Sequence, residues 1–176
     1  MTESTNPSHG VQSRHHLGGN RALGFAVLSV SDTHTEDDDP SGHLARDLLA
    51  KGGHQIRHYA LVANSIADVR DKLDPWLAEI PVEAAVTVGG TGVSSRDLTV
   101  NALEGMGGKR LEGFGELYRS ISFEEVGPLA LISRAALFLV RGKPVFALPG
   151  SERAVRTAIE KLILPASIHL VEELER

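Results

Sequence analysis

The chain has 176 residues, no cysteine and a formal net charge of −5. Its length suits one domain that buries roughly 70% of its unfolded surface, and the lack of cysteine excludes disulfides, thiolate zinc sites and a cysteine nucleophile. The negative balance argues against binding nucleic acid or an acidic membrane through a basic face, and no apolar run approaches the ~20 residues that cross a bilayer, so a cytoplasmic protein is expected.

Residues 1–21 show neither helical nor strand periodicity and no apolar core of the signal-peptide kind. They are expected to form a disordered tail, followed by a single domain at residues 22–176. His9, His15 and His16 in that tail lack a carboxylate at ligand spacing, so solvated side chains are favoured over a metal site.

From Gly24 to Ser31 a mostly apolar run, interrupted at Ser29, predicts a first buried strand. The acidic stretch Glu36 to Asp39 follows, read as a solvated charge run before a helix N-terminus. That helix opens at Pro40-Ser41-Gly42, carries Leu44, Ala45, Leu48 and Leu49 on one face, and closes at Gly52-Gly53. His54 to Val62 alternates polar and apolar, as a strand near a sheet edge would. Asn64-Ser65 can cap a helix from Ile66 to Ala78, which Pro75 should kink or restart. Ala84 to Val88 shows no polar alternation and suits a second strand buried on both faces.

Beyond Val88, Leu98 to Glu104 predicts a short helix broken at Gly105 to Gly108, and Lys109 to Glu112 reads as a polar connection. Gly113-Phe114-Gly115 leads into a helix from Glu116 to about Phe123, ended by Gly127-Pro128. Ala136–Val140 and Pro144–Leu148, joined through Arg141-Gly142-Lys143, have hairpin form. A C-terminal helix follows Ser151, with Ala154, Val155, Ala158, Ile159, Leu162 and Ile163 on its apolar face. The alternation predicts an α/β fold with a mostly parallel sheet between helices and one antiparallel hairpin.

Chemistry is concentrated where strand Ala84–Val88 runs into Gly89, Gly90, Thr91, Gly92, Ser94, Ser95 and Asp97. Glycines let the backbone approach a ligand closely, and unpaired amides there attract an anion. The loop lacks the Gly-Lys-Ser/Thr of a Walker P-loop, and no Gly-x-Ser-x-Gly elbow marks a hydrolase. It matches a dinucleotide fingerprint only with its third glycine replaced by Ser95. Asp97 can be read as a helix N-cap or as a carboxylate for Mg²⁺ beside phosphate. A second strand-end loop, Pro149-Gly150-Ser151, suggests an extended phosphorylated ligand.

Taken together, Gly89-Gly90-Thr91-Gly92 with Arg96, Asp97 and Thr99, Gly113-Phe114-Gly115-Glu116, Ser133-Arg134-Ala135 and Leu148-Pro149-Gly150-Ser151 resemble the molybdenum cofactor biosynthesis family. The stretches Glu36 to His43 and Ser122 to Gly127 resemble its MoaB branch rather than MogA or the gephyrin G domain. The likeness covers about residues 23–173. It implies a three-layer α/β/α sandwich assembling as a homotrimer or homohexamer, with molybdopterin and ATP as substrates, Mg²⁺ as cofactor, and other enzymes of the pathway as partners. Active relatives transfer an adenylyl group from Mg-ATP to the molybdopterin phosphate.

Carried over by position, Gly89 to Gly92 with Ser94 and Ser95 would hold phosphates, and Asp97 would assist the metal or the attacking phosphate. Glu116, Ser133 and Arg134 would face the pterin, and Pro149, Gly150 and Ser151 would close the pocket. One departure stands out: active members place an aspartate where this chain has Asn64, which implies a metal site one charge short. Asn64 therefore keeps a second reading open, a non-catalytic protein that binds or delivers molybdopterin or its precursor, and the imperfect glycine pattern alone supports a third, a nicotinamide dinucleotide-binding protein.

Overall fold

Seven consecutive buried residues, Gly24–Val30, form strand β1 at the heart of the sheet. The computed structural model describes residues 21–176, so the tail expectation for residues 1–20, with its three histidines, lies outside the described residues. Phe25 and Val27 of β1 point to one face and Ala26, Leu28 and Val30 to the other, and each set enters a separate apolar core. This two-sided burial is why β1 has no polar alternation.

Helix α1 (Pro40–Lys51) starts with proline and is capped by Asp39, whose side chain accepts from the Gly42 amide. The acidic run therefore divides: Glu36, Asp37 and Asp38 are exposed, whereas Asp39 is buried in its capping role. Strand β2 (Gln55–Val62) is an edge strand parallel to β1. Helix α2 (Ile66–Ala78) is capped by Ser65 and continues three residues past Pro75, contrary to the expected restart. Buried Trp76 and Leu77 hold that last turn in place.

Strand β3 (Ala84–Val88) pairs in parallel with β1, and helix α3 spans Thr99–Gly105. Lys109–Leu111, expected as a polar connection, is instead strand β4, which borrows its order from antiparallel pairing with Leu137–Leu139. Helix α4 (Glu112–Val126) begins four residues before the expected Glu116. Gly113 and Gly115 do not break it, because buried Phe114 and Tyr118 fix its first turns to the core. A 3₁₀ turn over Gly127–Ile132 leads to the hairpin β5 (Ala136–Val140) and β6 (Lys143–Leu148).

The C-terminal segment is helical from α5 (Glu152–Ala158) through one wider π turn at Ile159–Ile163 into α6 (Leu164–Leu174). Pro165 lacks the amide that an α-helical turn would direct at the Lys161 carbonyl, and the wider turn accommodates that loss.

The sheet order is β2-β1-β3-β6-β5-β4, parallel as far as β6 and antiparallel in its last two pairings. Helices α1, α4, α5 and α6 cover one face while α2 and α3 cover the other, giving the three-layer α/β/α sandwich that the sequence predicts. At the amino-terminal end of β1, Arg21 donates to Glu175 at 2.7 and 2.6 Å and also pairs with Glu83, whose other oxygen accepts from the Gly24 amide. Among the described residues, no helix is long and apolar enough to cross a membrane.

Candidate functional site

The chain passes from β1 to β2 on one side and then crosses back over β1 to β3 on the other, which opens a crevice at the carboxyl ends of β1 and β3. A cavity of about 690 Å³ occupies this position. Four strand-end loops line it, after β1, β2, β3 and β6, together with the first turns of α1 and α5 and a wall from α4 and its following turn. Backbone contact locks the loops together. Gly89 has φ +103, and a Cβ there would lie 2.3 Å from the Val30 carbonyl oxygen; Gly150 lies so close to Gly89 that its own Cβ would touch the Gly89 Cα at 3.4 Å. A side chain could not fit at Gly89, and at Gly150 the two loops meet in van der Waals contact.

Within the loop after β3, several amides already have partners. Gly89 N donates to the Leu148 carbonyl at 2.9 Å, Ser94 N to Asp97 Oδ2 at 2.8 Å, and Leu98 N to Asn64 Oδ1 at 3.1 Å. The amides of Gly90, Thr91 and Gly92 donate to no acceptor among the described residues, and all three residues line the cavity. An unpaired amide run beside a cavity is a seat for anionic oxygen.

Asp97 is not the N-cap of α3: Leu98 holds that position, with no side-chain cap. The Asp97 carboxylate folds back to Ser94 N and lies over Gly92, whose Cβ would sit 2.7 Å from Oδ2. Across the crevice, Asp32 Oδ1 accepts from Asn64 N at 2.8 Å. Asp39 accepts from Gly42 N at 3.0 Å and from the Tyr59 hydroxyl at 2.7 Å. Burial and that bond to Asp39 together raise the Tyr59 pKa well above the ordinary phenol range. Glu125 accepts from Lys161 Nζ and Thr157 Oγ1, each at 3.0 Å, and the lysine is the main reason its carboxyl titrates below the usual range. No three His, Cys, Asp or Glu side chains cluster as a metal site among the described residues.

Of the residues singled out by sequence, Asn64, Gly89 to Gly92, Ser94, Asp97, Ser133, Pro149, Gly150 and Ser151 meet around this one cavity. Ser95 is exposed outside its lining, and Glu116 lies on the exposed face of α4 away from it. Arg134 turns inward to the protein: Nε donates to the Gly92 carbonyl at 2.6 Å, one terminal nitrogen reaches Asn101 Oδ1 at 3.1 Å, and the other bonds the Asp97 carbonyl. Sequence reasoning missed Asp32, Thr33 and His34 on the β1 loop, and Tyr118, Ser122 and Glu125 on α4. The last three recur at i, i+4 and i+7, so a polar stripe on one helical face was the available signal.

A family model described as a probable molybdopterin binding domain matches residues 26–169. Over 159 residues the chain is 43% identical to molybdenum cofactor biosynthesis protein B of Staphylococcus carnosus (strain TM300), a match covering 89% of this chain and 93% of that protein. A crystal structure of a molybdenum cofactor biosynthesis protein B superposes with a TM-score of 0.86 at 37% identity, covering 90% of this chain and 99% of that one. The tungsten cofactor synthesizing protein MoaB from Pyrococcus furiosus does so with a TM-score of 0.78 at 30% identity, covering 89% and 99%. With the model spanning most of the domain and these relatives nearly full length, the chain belongs to the molybdopterin-binding-domain family of molybdenum cofactor biosynthesis proteins, on its MoaB branch.

Proposed function

We propose that the cavity binds molybdopterin, with its terminal phosphate on the amides of Gly90, Thr91 and Gly92, and that the protein transfers an adenylyl group from ATP to that phosphate. The observation that carries this reading is the run of three unpaired amides facing a cavity of about 690 Å³, a size in the usual range for small-molecule sites.

Mg²⁺ fits the donor set. Asp97 keeps one carboxylate oxygen beyond the one that Ser94 N occupies, and Asp32 also lines the cavity. Mg²⁺ takes one or two protein carboxylates and completes its octahedron with water and phosphate oxygens, so a cluster of three acids is not required. When bound there it would neutralise phosphate charge as a Lewis acid.

The reaction needs no protein nucleophile. A pterin phosphate oxygen attacks the α-phosphorus of ATP, a new phosphoanhydride bond forms, and the bond from the α-phosphorus to the bridging oxygen breaks to release pyrophosphate. The chain contributes alignment and charge stabilisation through the loop amides.

A second reading, binding or delivery without turnover, is favoured by Asn64. Its neutral amide brings no carboxylate charge to a metal, and its Oδ1 already accepts from Leu98 N. Under either reading we propose assembly into a homotrimer or homohexamer. Leu117, Phe123, Leu129, Leu131 and Ile132 support this, forming an exposed apolar group on α4 and its following turn.

Incubation with molybdopterin, Mg²⁺ and ATP tests these alternatives. Adenylylated pterin with stoichiometric pyrophosphate is the expected product. Pterin binding without pyrophosphate release would select the delivery reading, and no pterin binding would overturn both.

A further inference from the structure

The glycine loop is held from behind. Four consecutive carbonyl oxygens each accept a bond from one of two residues: Gly89 O from Thr99 Oγ1 at 2.8 Å, Gly90 O from Thr99 N at 3.1 Å, Thr91 O from Arg134 N at 2.9 Å, and Gly92 O from Arg134 Nε at 2.6 Å. A trans peptide is planar, with its carbonyl and the next residue's N–H pointing in opposite directions. Pinning these four oxygens on one side therefore turns the amides of Gly90, Thr91, Gly92 and Val93 to the other. Those amides have no acceptor among the described residues. Thr99 is fully buried, and the Arg134 guanidinium meets only protein acceptors, so neither is oriented to touch a ligand.

We infer that Thr99 and Arg134 are positioning residues that set the loop amides toward the cavity before an anion arrives. Arg134 thus takes a role different from the pterin contact implied by family resemblance. It acts through the loop, and its planar fork matters more than its charge, because one group must meet Gly92 O, Asp97 O and Asn101 Oδ1 together. Asn64 adds a third tie at the far end of the loop by accepting from Leu98 N. This inference rests on the cavity being a phosphate site and leaves open which phosphorylated molecule occupies it.

Calorimetric titration of the full chain with inorganic pyrophosphate, at several salt concentrations, tests it. Arg134→Lys keeps the charge but cannot span three acceptors, so it should lose affinity about as far as Arg134→Ala, by about tenfold or more. Thr99→Val should weaken binding while Thr99→Ser restores it, since serine keeps the hydroxyl that holds Gly89 O. The dependence of affinity on salt should be the same in Arg134→Lys, Arg134→Ala and the unsubstituted protein, because the residue lost is not on the anion.

Wild-type affinity in Arg134→Lys, or a shallower salt dependence in Arg134→Ala, would overturn the inference in favour of direct contact. Equal binding by Thr99→Val and Thr99→Ser would overturn the role of the hydroxyl. Failure of the unsubstituted protein to bind pyrophosphate would overturn the anion seat itself. Pyrophosphate binding without molybdopterin binding would instead leave the preset loop standing and remove the pterin reading. Amide hydrogen exchange guards against loss of fold: Arg134→Lys should speed exchange at the bonded loop amides of Ser94, Arg96, Asp97 and Leu98 while the β1 and β3 amides keep their protection.

Discussion

Ser41 donates its hydroxyl to the Gly150 carbonyl at 2.7 Å, fastening the first turn of α1 to the loop after β6 across a separation of 109 residues. That bond closes one corner of the cavity, since both residues line it. Ser41→Ala should cost about 1 kcal/mol in urea unfolding and weaken molybdopterin binding. An unchanged pterin titration would show that the corner is held by packing alone.

Gly90 and Gly113 should respond oppositely to alanine. At Gly90, φ is +65 and a Cβ would lie 2.3 Å from Thr99 Oγ1 and 2.8 Å from Asn64 Oδ1. Gly90→Ala should destabilise by about 1–3 kcal/mol and abolish anion binding. Gly113 sits in the first turn of α4 with nothing within 4 Å of a built Cβ, so Gly113→Ala should stabilise by roughly 0.5–1 kcal/mol. Thermal melts of the two variants suffice to check both.

Asp97 combines a loop tie with a free carboxylate oxygen, and substitution can separate them. Asp97→Asn keeps an oxygen to accept from Ser94 N, so it should fold and bind pterin with near-native affinity while losing Mg²⁺-dependent pyrophosphate release. Asp97→Ala should lose both. Equal turnover in Asp97→Asn and the unsubstituted protein would remove the carboxylate from metal binding.

Stability should fall on mild acidification because of His54. Burial lowers its pKa, a shift that Glu83 partly opposes, and its Nδ1 accepts from the Leu23 amide at 3.2 Å. The neutral ring is therefore favoured in the folded state. Its contribution is fully present above the unfolded-state value of about 6.5 and is lost as pH drops through and below that point. Melting temperatures between pH 7.5 and 5 should show this decline, and His54→Asn, which can accept from Leu23 without titrating in this range, should remove most of it.

Leu131 is 85% exposed beside Phe123 and Leu129. Leu131→Glu should leave the stability of an isolated protomer within about 0.5 kcal/mol while shifting the sedimentation profile toward monomer. If the unsubstituted protein already sediments as a monomer, this apolar surface is not a self-association site.

Local chemistry makes much of this legible in the sequence itself. The strands Gly24–Val30 and Ala84–Val88 stop where apolar runs meet polar residues or glycine, and the Ser65 hydroxyl accepts from Asp68 N at the start of α2 as a cap should. What escaped depends on distant partners. Lys109–Leu111 carries too little apolar pattern to announce a strand and is one only because β5 offers backbone groups. Gly115 looks like a helix breaker, yet its Cβ would lie 2.6 Å from the Ala135 carbonyl oxygen, so glycine is there to let α4 approach the start of β5. Arg134 posed the same difficulty in the site. An arginine next to a binding motif suggests an anion, and only the fold reveals that its partners are carbonyls.

The salt-bridged junction of Arg21, Glu83 and Glu175 ties together residues as far as 154 positions apart at a single corner. That corner sits at the opposite end of β1 from the crevice, roughly 20 Å away along the strand. Arg21→Ala should therefore loosen that corner while leaving the ligand entrance, at the far end of the strand, untouched.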